Sequence, residues 1–193
     1  MGIRDILAVI ILIAFGVYYR LIPHEPNFSP LIPITVFCGF IISRKTNVWI
    51  AGLVPLAVLF ISDFFIGFYK GMFFVYLSFI VCFLLSFVYS KFFYFEDRIK
   101  QVLNVNASAL INSIVFFVIS NFGVWLFSNM YDKTLGGLAE CFFMALPFFK
   151  NSMLSAVIFT TLIFLSYYAL EERKKNFPIF DEYNKDIVNR NPK

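Results

Sequence analysis

Charge is scarce in this sequence. Asp, Glu, Lys and Arg make up 15% of its 193 residues, against about a quarter in a soluble domain. Too little polar surface remains to cover a globule in water, which excludes a soluble domain. Histidine occurs once, at His24, so no histidine cluster is present to hold a metal. Cysteine occurs three times, and Cys38, Cys82 and Cys141 each stand alone in an apolar run. No pair has metal-ligand spacing, and an odd number builds no disulfide framework. They read as small hydrophobes packed between helices. Phosphate-cradling glycine motifs, Gly-x-Ser-x-Gly and His-Glu-x-x-His are all missing. One histidine and one intramembrane aspartate are a thin inventory for catalysis, so neither an enzyme nor a cofactor is expected. The net charge is +4, but the dense charge from Glu171 onward is mixed in sign. It is not a basic patch interleaved with stacking aromatics, so a nucleic-acid partner is not expected.

What the sequence does contain is apolar. Hydrophobic residues make up 60% of the chain, 28 residues are Phe, and mean hydropathy is +0.80. Such a composition excludes an extended disordered chain and leaves an all-α integral membrane protein, with the lipid bilayer as its first partner. A bilayer core takes about 20 residues of apolar helix. Apolar runs lie at 6–22, 31–43, 48–68, 72–90, 105–128 and 153–170, which predicts six transmembrane helices in a single domain over 1–170, then a charged tail over 171–193. The second run is short and starts beyond Pro30 and Pro33, nearer a buried or broken segment than a full span. Arg4 ahead of the first run resembles a signal peptide. No small-x-small cleavage site follows, however, and Tyr18-Tyr19-Arg20 is the wrong exit, so a retained helix is expected.

Lys and Arg are unevenly shared between the two sides of such a bundle. Twelve fall with the N-terminus, the even-numbered connections and the tail, against four, Arg20, Lys70, Lys133 and Lys150, on the other side. The positive-inside rule then puts both termini in the cytoplasm. Between the fifth and sixth runs, Leu135, Leu138, Ala139, Phe142, Phe143 and Leu146 recur at helical spacing. Asp132 or Thr134 can cap this segment, and Pro147 ends or kinks it. Twelve residues cover roughly 18 Å, too short to cross, so a short external amphipathic helix is expected over 135–146.

Polar residues in or beside a span are costly and become candidates for function. The inner loops look generic, whereas the outer side collects specific chemistry: Arg20, His24, Asn27, Asp63, Asn121, Trp125, Lys133, Thr134 and Asn151. Ser113, Phe117, Asn121, Trp125 and Ser128 share one face of the fifth helix. That face suits either the lining of a small-molecule pocket or helix packing glued by small polar groups. Asp63 must find a partner or take up a proton, and Arg20 and His24 stand at similar depth. A salt bridge locking two helices, a substrate-binding carboxylate and a proton-coupling site all fit. His24 suits a hydrogen bond that shapes its loop, and Pro23, Pro26 and Pro30 hold that loop extended.

The stretch Arg20-Leu-Ile-Pro-His-Glu-Pro-Asn-Phe-Ser-Pro30 resembles the RxxPHPPNFTP signature of a family of uncharacterised bacterial membrane proteins. Ser62-Asp63 with Gly67-Phe68, the block 75–79, Asn121-Phe-Gly-Val-Trp125, Tyr131-Asp-Lys-Thr-Leu135 and Pro147-Phe-Phe-Lys-Asn151 resemble its other blocks. The match runs from about Arg20 to Tyr168. Glu25 departs from it, standing where the family has proline. In architecture that family is similar to the substrate-binding S components of energy-coupling-factor vitamin transporters. The resemblance implies six helices, both termini inside and an outer pocket covered by the first and fifth-to-sixth connections. It also implies a bacterial inner-membrane location, capture of a small nutrient and a transmembrane coupling subunit with ATPase subunits as partner. Ala8, Ala14 and Gly16 form no small-xxx-small pair on the first helix, so either the protein acts alone or such a partner docks differently. The expected function is substrate capture for transport, with a scaffold or assembly protein and a membrane-embedded enzyme as alternatives.

Overall fold

The structure, a computed structural model, describes residues 3–176, and the side chains of residues 5–172. The described residues form helices and no strand. Helix α1 (Ile3–Leu21) is followed by α2 (Leu31–Phe37), which runs through a π-helical turn (Cys38–Ile42) into α3 (Ser43–Lys45). Then come α4 (Val48–Ile66), α5 (Met72–Phe92), α6 (Arg98–Phe127), α7 (Leu135–Met144) and α8 (Leu146–Asn176). Among the described residues four helices, α4, α5, α6 and α8, are long and apolar enough to cross a membrane. The chain is an all-α membrane protein. The part of the charged tail beyond residue 176, with Lys185, Arg190 and Lys193, lies outside the described residues.

The short segment 31–45 is the axis of the bundle. Every residue from 30 to 42 is buried, and α2 packs against α1, α4, α5, α6 and α8. Its start fits its sequence. Pro33 sits in the first turn, where a missing N–H costs nothing, and Ser29 Oγ accepts the Leu31 N–H at 3.3 Å. The π turn brings its backbone hard against α5. A Cβ on Gly39 would lie 2.5 Å from Ser86 Cβ and 2.9 Å from the Phe87 nitrogen, so only glycine fits there. The Gly39 carbonyl accepts from Ser43 Oγ at 2.6 Å and Ser90 Oγ at 3.3 Å, which satisfies an acceptor that the widened turn leaves over.

Helices α5 and α6 meet along a buried polar seam. Ser78, Cys82, Ser86 and Ser90 recur every four residues, and Asn104, Ser108 and Asn112 do so on α6. Asn112 Nδ2 donates to Ser86 Oγ at 2.6 Å, and Tyr89 donates to Asn104 Oδ1 at 3.0 Å. In an apolar surround such pairs hold helices together where the hydrophobic effect cannot.

The bundle has two distinct ends. At one end Lys45 pairs with Asp5 at 3.6 Å and Glu171 at 3.3 Å, and Arg98 with Glu172 at 2.7 Å. Arg44 Nη2 donates to the Ser90 carbonyl at 2.5 Å, and its guanidinium lies 4.0 Å from the centre of the Tyr94 ring. The loops at this end, which look generic in sequence, are therefore specifically tied down. The other end carries the connections 22–30, 67–71 and 128–134 together with α7.

Helices α6 and α8 begin ahead of the apolar runs they contain. Helix α6 starts at Arg98 because Asp97 Oδ1 accepts the Lys100 N–H at 2.8 Å, an N-cap that works wherever the lipid begins. Helix α8 starts at Leu146, with Pro147 in its first turn; the proline starts this helix as well as ending the one before.

Candidate functional site

Asp63 is the most buried charged side chain at this end, 1% exposed. Its Oδ1 takes an ion pair from Arg20 Nη2 at 2.5 Å, and its Oδ2 accepts from the Tyr76 hydroxyl at 2.9 Å. One carboxylate thus ties α4 to α1 and α5. The 67–71 connection makes the second contact possible: Gly67 and Gly71 adopt positive φ, +104° and +88°, which glycine tolerates freely. The chain can then reverse within a few residues and return Tyr76 opposite Asp63.

Arg20 also faces a compartment of about 260 Å³ between the 22–30 loop and α2, α5 and α6. His24, Asn27, Ser29, Tyr69 and Ser152 contribute the other polar groups of its wall. A second compartment of about 500 Å³ lies alongside, bounded by α6, α7 and the 67–71 connection. The two share Asn27, Tyr69, Val75 and Phe116 as common wall. Asn121 lines the second, with Lys70, Ser120 and Ser128 as further polar groups and an apolar remainder that includes Val124, Met144 and Phe148. Volumes of this order, largely apolar with a few convergent polar groups, suit a small organic ligand.

The 22–30 loop is held in place from α8. Asn151 Nδ2 donates to the Pro26 carbonyl at 3.0 Å, and Ser152 and Ser155 reach the Asn27 carbonyl at 3.5 Å. Asn27 itself has φ +61°, the single positive value at a non-glycine among the described residues; asparagine accepts this conformation better than most side chains. His24 Nδ1 lies 2.8 Å from the Ile22 carbonyl, and its ring packs at 5.3 Å from Tyr19. It shapes the loop and leaves the pairing of Asp63 to Arg20.

The nine candidate residues thus divide. Arg20, His24 and Asn27 line the first compartment, Asn27 and Asn121 the second, and Asp63 stands behind Arg20. The other four bind backbone near by. Trp125 Nε1 donates to the Asp132 carbonyl at 2.9 Å. Lys133 Nζ donates to the carbonyls of Trp125 and Ser128, where α6 leaves acceptors without helical partners. Thr134 Oγ1 caps α7 by accepting the Gly137 N–H at 3.1 Å. Asn151 anchors Pro26, as above. On α6, Ser113 bonds back to the Ala109 carbonyl at 3.0 Å, and the Phe117 ring packs at 4.5 Å from Phe149 and 5.4 Å from Phe142.

Gly137 and Cys141 of α7 are buried, as is Ala145 just beyond its end; Cys141 Sγ reaches the Asn121 carbonyl of α6 at 3.5 Å, and Gly137 lies against the backbone of the 128–134 connection. A Cβ on Gly137 would fall 2.1 Å from the Asp132 carbonyl oxygen. The apolar stripe of this helix is split. Leu138 and Phe142 are half-buried, while Leu135 at 86% and Phe143 at 69% stand exposed. Small side chains allow the closer backbone approach, and they win over larger apolar ones.

Tyr69, Tyr76 and Phe116 belong to the site and are not evident in the sequence as candidates. Burial and the neighbouring Asp63 charge raise the Tyr69 hydroxyl above the ordinary phenol range, against an opposing effect of Arg20. It therefore stays protonated and able to donate. Among the described residues no cluster of His, Cys, Asp and Glu could hold a metal ion.

Residues 3–179 match the model of a family described as a family of unknown function, DUF6580. The chain belongs to this family. DUF6580 carries no assigned activity, so the chemistry has to be read from the site itself. No curated protein and no solved structure matches the chain.

Proposed function

We propose that this member of DUF6580 captures a small nutrient, of the vitamin or vitamin-precursor class, at the outer face of the bacterial cytoplasmic membrane for uptake. The observation that carries the reading is the pair of adjoining compartments at one end of the bundle, walled by Arg20, Asn27 and Asn121 from separate elements. In this reading α1 and the buried segment 31–45 cross with the four long helices. That makes six spans, with both termini on the cytoplasmic side. The twelve-to-four distribution of Lys and Arg supports that orientation. Helix α7 then lies outside the hydrocarbon as a roof, contributing Cys141, Met144 and Ala145 to the second compartment. The protein resembles an S component, which calls for a transmembrane coupling subunit and ATPase subunits to supply energy. Catalysis has little to work with. Both oxygens of Asp63 are engaged, and the sole histidine is bonded to its own loop.

Scaffolding is the second reading, favoured by the four residues that bind backbone: Trp125, Lys133, Thr134 and Asn151. A thermal-shift screen of vitamins and their precursors on detergent-purified protein, with mass spectrometry of co-purifying molecules, separates the two. Capture predicts that one chemical class raises the melting midpoint of the wild type. It also predicts that Asn121→Leu loses this shift while keeping its own unliganded midpoint. If no compound shifts the midpoint and no small molecule co-purifies, the scaffold reading stands in its place.

A further inference from the structure

The lining of the two compartments is sorted by charge. Arg20 and Lys70 line them, and among the described residues no acidic side chain does. Glu25, Asp132 and Glu140 lie at the same end of the bundle but outside both walls. Asp63, the acid nearest the first compartment, has each oxygen occupied, one by Arg20 and the other by Tyr76. A cationic ligand therefore finds no carboxylate to receive it, and a buried cation without a partner is strongly disfavoured.

Donors are in surplus. An arginine side chain carries five N–H groups in a rigid fork, and Asp63 engages Nη2. Arg20 lines the first compartment, and its Nε is buried with no hydrogen-bond partner, so Asp63 leaves part of the guanidinium's donor capacity unused. Tyr69, on the wall common to both compartments, keeps its proton, and the Asn27 side chain lies on that same wall. Beyond Phe116 the second compartment turns mostly apolar, with Val124, Met144 and Phe148 in its wall.

We infer that the ligand is an organic anion with a carboxylate head seated at Arg20 and Tyr69 and an apolar body extending past Phe116 into the second compartment. This rests on the capture reading and narrows it. The test titrates full-length protein in detergent with matched arylalkanoic acids, their primary amides and the corresponding amines, with affinity read by calorimetry. The acids are expected to bind about tenfold or more tighter than the amides, the effect of one charge-assisted contact. Arg20→Lys retains a positive charge for Asp63 but replaces the planar guanidinium fork by a point ammonium drawn onto that carboxylate, with no separate nitrogen to face a ligand, so the acid preference should collapse. Tyr69→Phe leaves the ion pair untouched and should weaken the acids selectively, which keeps the test open if Arg20→Lys does not fold. Amides or amines binding as tightly as the acids would overturn the anion assignment and leave capture standing. So would a full acid preference in either variant. No binding in any of the three series overturns the anion assignment too, while capture itself stands or falls with the thermal-shift screen and the co-purifying molecules.

Discussion

At Arg20 one guanidinium serves two purposes: it neutralises Asp63 and it faces the first compartment. The first sets a stability expectation. Arg20→Ala leaves a carboxylate buried at 1% exposure without its cation, which typically costs about 3–5 kcal/mol. Tyr76→Phe removes one hydrogen bond and should cost less, about 1–3 kcal/mol. Denaturation midpoints of the two variants in the same detergent measure the order, and a larger loss at Tyr76 would contradict it. The Arg20–Asp63 pairing is legible in the sequence, because an intramembrane carboxylate needs a partner and few basic residues share its depth. Tyr76 is not, since its contact depends on a turn through Gly67 and Gly71 that no pattern of hydropathy encodes. Lys133 and Thr134 show the converse limit. A polar group beside an apolar run is required both by a binding site and by a helix end with unsatisfied backbone groups. In this molecule these two serve helix ends.

Among the elements, the segment from α2 to α3 governs the packing, and it is held by contact at Gly39. Gly39→Ala must push α5 away at Ser86 and Phe87, and overpacking of this kind costs about 1–3 kcal/mol. Gly136→Ala is the control: the only atom a Cβ would meet there is Thr134 Oγ1 at 3.7 Å. Its midpoint should stay at or slightly above the wild-type value, since alanine favours the helix. Equal loss in both variants would contradict the backbone-contact account of the central segment. The six apolar runs correspond to helices because an apolar segment taken out of water must bond its backbone groups within itself, and among the described residues four of these helices are long and apolar enough to cross a membrane. That the shortest is the one enclosed by the rest follows from its prolines and length. The start of helix α7 is legible in the sequence, which leaves its cap open between Asp132 and Thr134; Thr134 is the cap, and the helix ends at Met144 rather than 146. Hydropathy favours Leu135 and Phe143, whereas contact with the Asp132 backbone selects Gly137 and contact with Asn121 buries Cys141.

The whole molecule is asymmetric between its ends. One is tied by ion pairs among α1, α3, α6 and α8; the other holds the two compartments. The sorting of polar residues by side is visible in the sequence. The cavities are not, because they arise from the spacing of helices rather than from any single stretch. The central claim is that the compartments open outward, and Asn121 reports on it. With Cys38, Cys82 and Cys141 replaced by alanine, Asn121→Cys places one thiol in the wall of the second compartment. The decisive measurement is its labelling in intact cells by a membrane-impermeant maleimide. Outward capture predicts modification without permeabilisation, slowed by a bound ligand. Modification only after the cells are opened would contradict it.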